Sequence, residues 1–156
     1  PYNYGNGTNS GHVRVYKYDE NNEWKQLGLD IDGEAAEDLS GHSVSLSNDG
    51  TTVAIGAIRN DENGTNSGHV RVYKFENNGW NQIISYIDKV GDINGESAND
   101  ESGYSVSLSG NGTTVAIGAI NNDENGTNSG HVRVYKLTQN TTTVKGILDV
   151  EPVLEV

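Results

Sequence analysis

Cysteine and methionine are absent from the 156 residues, proline occurs twice and phenylalanine once. Without Cys there is no disulfide, no thiolate nucleophile and no Cys-based zinc site. Without Met there is no initiator, and the chain opens at Pro1-Tyr2 with no signal-peptide pattern; it reads as a mature or excised portion of a longer product. Basic residues are scarce, ten Lys and Arg against twenty-two Asp and Glu, giving a net charge of −12 with His neutral. That balance argues against a partner whose binding depends on phosphate neutralisation, and so against nucleic acid. It argues equally against a polybasic membrane-surface segment. No apolar run approaches the roughly twenty residues that span a bilayer, so no membrane insertion is expected. What is abundant is Gly, with 20 copies, and Asn, with apolar residues in short runs between them. This is the composition of turn-rich β structure.

The strongest feature is repetition. The segment NGTNSGHVRVYK occurs unchanged at Asn6–Lys17, Asn63–Lys74 and Asn125–Lys136. The last two copies extend backwards to NDENGTNSGHVRVYK, and SVSLS (Ser43–Ser47, Ser105–Ser109) and TTVAIGAI (Thr51–Ile58, Thr113–Ile120) precede them. A Trp followed by x-Gln-[Leu/Ile] comes after (Trp24, Gln26, Leu27; Trp80, Gln82, Ile83), then D-I-[D/N]-G-E (Asp30–Glu34, Asp92–Glu96). The period is 57 residues between the first two copies and 62 between the last two, because a stretch resembling IISYIDKVG is added after Trp80 and one residue is missing just before it. Loops of unequal length between equal strands are what a repeat architecture tolerates best.

Each period offers four strands. In GHSVSLS, Val44 and Leu46 alternate with Ser43, Ser45 and Ser47. Asn48-Asp49-Gly50, and Asn111-Gly112 in the next copy, supply the positive φ that a tight hairpin needs. TTVAIGA then puts Val53, Ile55 and Ala57 on one face, leaving only Ala54 and Gly56 on the other, which suits close approach of a second sheet. After the polar loop RNDENGTNS, GHVRVYKF sets Val70 and Val72 against His69, Arg71 and Tyr73. A turn at Asn77-Asn78-Gly79 leads to the Trp80 strand. The expected class is therefore all-β, a tandem array of four-stranded antiparallel sheets. One such sheet cannot bury both faces; stacking on its neighbour removes apolar area from water at roughly 25 cal/mol per Å². The natural solution is a set of β-propeller blades, with Trp24, Trp80 and the Val, Leu and Ile faces forming the core.

At GHSVSLSNDGTTVAIGAI and NDENGTNSGHVRVYK the chain resembles the FG-GAP repeats of integrin-α-type β-propellers, nearest to their bacterial and algal surface-protein variety. Gly41-His42-Ser43 and Gly103-Tyr104-Ser105 stand at that family's first element. Ile55-Gly56-Ala57-Ile58 and Ile117-Gly118-Ala119-Ile120 stand at the second, and Ser67–Tyr73 at the third. Ser40 or Ser102 replaces the family's Phe, and Ile58 or Ile120 its Pro. The short Asn48–Thr52 turn replaces the calcium loop that many integrin-type blades carry between strands one and two. The resemblance implies an extracellular or cell-surface location. The phase of the repeat gives about two and a half blades: residues 1–36 a partial blade with strands three and four, 37–98 a full blade, and 99–143 strands one to three. The tail, 144–156, breaks the repeat and is expected to supply a blade-completing strand. Closed propellers usually need about four to eight blades, so the expected partners are neighbouring blades of a longer parent or other copies of the chain.

Candidate ligands follow from the oxygen-rich turns. Asp30-x-Asp32-Gly33 with Asp38, and Asp92-x-Asn94-Gly95 with Asp100, present donors suited to Ca²⁺, which takes about six to eight oxygens. Asp61 with Asn63, and Asp123 with Asn125, form a secondary set. None matches the EF-hand spacing, and the competing reading is a set of Asx turns bonded to their own backbone. His12, His69 and His131 recur two residues before an Arg. That pattern suits anion or glycan binding, or packing and hydrogen bonding between blades beside Tyr16, Tyr73 and Tyr135. No His pair has zinc-ligand spacing such as HExxH, and no G-x-S-x-G elbow appears. Sequons stand at Asn6, Asn63, Asn111, Asn125 and Asn140, and the Asn-Gly-Thr of the first four is also a good turn. Because catalytic sites are normally unique and these residues recur, the expectation is a non-enzymatic structural or adhesive module that contacts a protein or glycan surface. Its alternatives are a self-assembling filament or sheath subunit joined head to tail, and, from another class, a carbohydrate-binding propeller or hydrolase.

Overall fold

A computed structural model describes residues 1–83 and 91–137. The expected tail strand in 144–156, the sequon at Asn140 and most of the IISYIDKVG stretch lie outside these residues. The described residues contain strands and turns and no helix. The first repeat contributes β1 (His12–Val13), β2 (Tyr16–Tyr18), β3 (Trp24–Gln26) and β4 (Ile31–Asp32). Two antiparallel pairs result, β1 with β4 and β2 with β3. The second repeat is an antiparallel meander of β5 (Ser43–Leu46), β6 (Thr52–Ala57), β7 (His69–Glu76) and β8 (Gly79–Gln82). β9 (Asp92–Asn94) pairs with β7 beyond β8. The third repeat forms β10 (Ser105–Leu108), β11 (Thr114–Ala119) and β12 (His131–Lys136) in the same order.

Register repeats with the sequence. Ala54 faces Val72 and Ile55 faces Arg71 across β6 and β7, as Ala116 faces Val134 and Ile117 faces Arg133 across β11 and β12. The turns differ from expectation in detail. At Asn48-Asp49-Gly50 only Gly50 takes positive φ (71°), and the Asp49 carboxylate accepts from Ser47 Oγ, Thr51 N–H and Thr51 Oγ1. The turn between β7 and β8 puts both Asn77 and Asn78 at positive φ, the two-residue I′ geometry that matches strand twist.

The alternation along each strand divides its side chains between two seams. On β7, His69, Arg71 and Tyr73 look back toward the first repeat, where Ile31, Val53, Ile55 and Tyr73 form one apolar cluster with Val13 and Trp80 packed on it. Val70 and Val72 look forward and join Ala54, Ile93, Leu108, Val115, Ile117 and Leu137 in the second cluster. Hydrogen bonds cross the forward seam: Ser43 Oγ donates to Gly103 O (2.6 Å), and Leu108 N–H donates to Ser45 Oγ (2.9 Å). Gly56 is needed there, because a Cβ at this position would strike Gly103 O.

Identical residues have opposite fates according to what lies beside them. Val70 and Val72 are 0% and 2% exposed, whereas their copies Val132 and Val134 are 68% and 66% exposed. Leu46 is exposed on β5, while its copy Leu108 is buried. Trp80 fulfils its expected role, donating Nε1–H to Leu27 O across the first seam (2.7 Å). Trp24 does not: it is 69% exposed and, among the described residues, stacks on Tyr18 alone, with ring centroids 5.1 Å apart. The physical reason is that Trp80 has the preceding repeat to lie against, and among the described residues nothing takes that place for Trp24.

Candidate functional site

The seams also carry the chain's densest chemistry. The turn after the fourth strand is tied to the loop before the third. Gly33 N–H donates to Gly11 O and Ser40 N–H to Ser10 O; Gly95 N–H donates to Gly68 O and Ser102 N–H to Ser67 O. Gly95 permits this docking, since a Cβ there would collide with Ser67 O. The result is that Glu34, at the end of D-I-D-G-E in the first repeat, lies against β7 of the second. Its Oε1 is 3.3 Å from Arg71 Nη1, and Arg71 Nη2 donates to Asp32 O (2.8 Å). Its Oε2 is 3.9 Å from His69 Nδ1, and Asp92 Oδ2 lies at the same distance from that nitrogen.

His69 is fully buried, and neither ring nitrogen has a hydrogen-bond partner. Burial pushes its pKa down to about 4, against the pull of Asp92, so the ring is neutral at neutral pH. Burial also raises the Glu34 pKa, opposed by Arg71 and reinforced by Asp92, Glu62 and Asp38. The second seam has a related set, in which Glu124, the copy of Glu62, takes the place of Asp92. His131 Nδ1 is 3.7 Å from Glu96 Oε2 and 4.0 Å from Glu124 Oε2, while Arg133 Nη1 is 3.1 Å from Glu96 Oε1. Beside it a cavity of about 390 Å³ is lined by Glu96, Asp100, Asn122, Asp123 and Glu124, among others.

The oxygen donors expected for calcium are distributed differently. Asp30 is held by Arg14 through Nε (2.8 Å) and Nη2 (2.7 Å) and by Gln26 Nε2 (2.7 Å), and its pKa falls to about 2. Asp30 and Asp32 group with His12, but Asp38 does not join them. Buried Asp38 accepts from Ala35 N–H (3.1 Å) and Asn60 Nδ2 (3.2 Å). Asp100 does the same with Ser97 N–H (3.1 Å) and Asn122 Nδ2 (2.9 Å). Asp92 turns to His69 with one oxygen and accepts from Gln82 Nε2 (2.5 Å) with the other; Asn94 Oδ1 is buried without a partner. Asp61 and Asp123 accept from Asn66 N–H (2.7 Å) and Asn128 N–H (2.6 Å), five residues further on, each tying its own loop together. Asn63 Nδ2 donates to Gly95 O (2.8 Å), as Asn6 Nδ2 does to Gly33 O, and Asn125 is exposed. The expected packing of His69 between blades is present, but the hydrogen bonds expected with it are not. The grouping of His with Glu across a seam was missed. The available signal was the Glu closing D-I-[D/N]-G-E in both copies, at Glu34 and Glu96.

Antiparallel sheets built on one repeat and seated face against face through Ala, Gly, Val and Ile define a propeller-type β-repeat protein. The FG-GAP repeat family matches the chain at residues 30–73 and 94–135, more than half of its length. The chain belongs to that family, whose repeats form β-propeller blades. No curated protein matches it.

Proposed function

We propose that the chain is a non-enzymatic structural and adhesive module of the cell surface or extracellular space, acting through protein–protein or cell-surface contact. The observation that carries this reading is the burial of Val70 and Val72 beside the exposure of Val132 and Val134. Among the described residues this face is core in one repeat and bare in the next, which fits the docking of another blade. Repetition supports a non-catalytic role: Glu34, His69 and Arg71 have counterparts in Glu96, His131 and Arg133, so no single seam is chemically unique.

A head-to-tail assembly is the second reading, favoured by bare faces of both kinds: Val132 and Val134 look forward, and Val44 and Leu46 of β5 look back. Such heterologous contacts close a ring or extend a filament. Light scattering on the 156-residue chain at rising concentration tests both. Growth in mass that Val132→Lys abolishes supports blade-to-blade joining. A monomer mass at every concentration removes the assembly reading. Binding of chain-coated beads to a protein-coated or cell surface, insensitive to competing glycans, then tests adhesion, and a glycan array tests the carbohydrate-binding alternative.

A further inference from the structure

We propose that the seam between the first and second repeats is a transition-metal site in which His69 Nδ1, Glu34 and Asp92 bind a zinc-class divalent cation, staple-like, across two blades. In the second seam His131, Glu96 and Glu124 also gather, with the Glu124 carboxylate open to solvent. The three ligand atoms of each set lie within 4.8 Å of one another.

The first argument is the unpartnered imidazole. A fully buried His with two idle ring nitrogens leaves polar atoms uncompensated. Nδ1 points between two carboxylates at 3.9 Å each, too long for a hydrogen bond. Two ligand atoms bound to zinc at about 2.1 Å in tetrahedral geometry stand about 3.4 Å apart. The two distances to Nδ1 therefore need about half an ångström of closure around an ion.

The second argument is charge. Glu34 is crowded by Asp92, Glu62 and Asp38, with Arg71 engaged on its other oxygen. A divalent ion between Glu34 Oε2, Asp92 Oδ2 and the ring relieves that crowding. The guanidinium then orients the outer carboxylate oxygen, as supporting groups around metal ligands do. The donor set decides the metal class. One neutral imidazole with two carboxylates suits zinc and its first-row neighbours, whereas calcium takes oxygen alone. The group at His12, Asp30 and Asp32 lacks this character, because Arg14 and Gln26 already occupy Asp30.

The test is calorimetric titration of chelator-treated full-length chain with zinc chloride, and separately with calcium chloride, beside thermal melts in each ion. The expected result is saturable zinc binding with a rise in Tm. Glu34→Gln, at a half-exposed position, should remove the equivalent bound at this seam, while Glu96→Gln leaves it in place. His69→Gln should match Glu34→Gln if it folds, and the Glu34 variant keeps the test decisive if it does not. Absence of zinc heat overturns the proposal. So does zinc uptake unchanged in Glu34→Gln, or calcium binding at these residues in preference to zinc.

Discussion

Substituting the same valine in two copies of the repeat separates stacking from every local contribution. Val70→Ala and Val132→Ala change the same residue at the same register, each opposite a glycine: Gly56 in one sheet and Gly118 in the other. Strand propensity and the denatured chain are therefore affected alike. They differ in burial, 0% against 68% exposed. Removing two buried carbons costs about 1.6 kcal/mol in transfer at ~0.8 kcal/mol per CH₂. The cavity left in the forward cluster brings Val70→Ala to about 2–3 kcal/mol. The exposed copy should stay within about 0.5 kcal/mol. For a domain of this size, roughly 2–4 °C per kcal/mol puts the Val70 variant some 5–10 °C lower in Tm. The assay is urea and thermal unfolding at the lowest workable concentration, where chains are not joined end to end. Equal losses in the two variants would refute the reasoning, because burial would then not follow from the neighbouring blade.

Other expectations concern the seam and the turns. Gly56→Ala should open the second seam, costing about 1–3 kcal/mol through overpacking against Gly103 O; an unchanged urea midpoint would contradict the contact. Asp38→Ala should cost about 1–3 kcal/mol, because Ala35 N–H and Asn60 Nδ2 lose their shared acceptor. Its calcium response should match the parent chain's, which melts with calcium and with chelator will check. Hydrogen bonds from Ser47 and Thr51 depress the folded pKa of Asp49 to about 2, from 3.8. Its contribution is therefore fully present above pH 3.8 and is lost as pH falls through 3.8 toward 2. Asp49→Asn should flatten that part of the acid-stability curve and leave the turn intact, since Asn111 makes the equivalent bonds in the next repeat.

Strand order and facing were legible because they depend on period-two patterning within a few residues. The small Ala54 and Gly56 announced close approach, and Val70 and Val72 announced an apolar face. What escaped depends on residues far apart in the chain. The fate of Trp24 was not written in its own segment, which parallels that of Trp80; it depends on whether another repeat lies alongside. Asp30 looked like a cation ligand in its D-x-D-G context, but Arg14 takes both of its oxygens, Nε on Oδ1 and Nη2 on Oδ2. His69 was visible as a strand residue, but its carboxylate neighbours come from a turn 35 residues earlier and a strand 23 residues later. Local pattern gives the strand; only packing gives the company it keeps.

The most direct measurement is the unfolding curve of residues 37–98 expressed alone, compared with that of the whole chain. One complete sheet with both flanks removed should show no cooperative transition and rapid amide exchange throughout β6 and β7, while the 156-residue chain melts cooperatively. A cooperative melt of the isolated segment at the whole chain's temperature would contradict the claim that these sheets hold together by lying against one another.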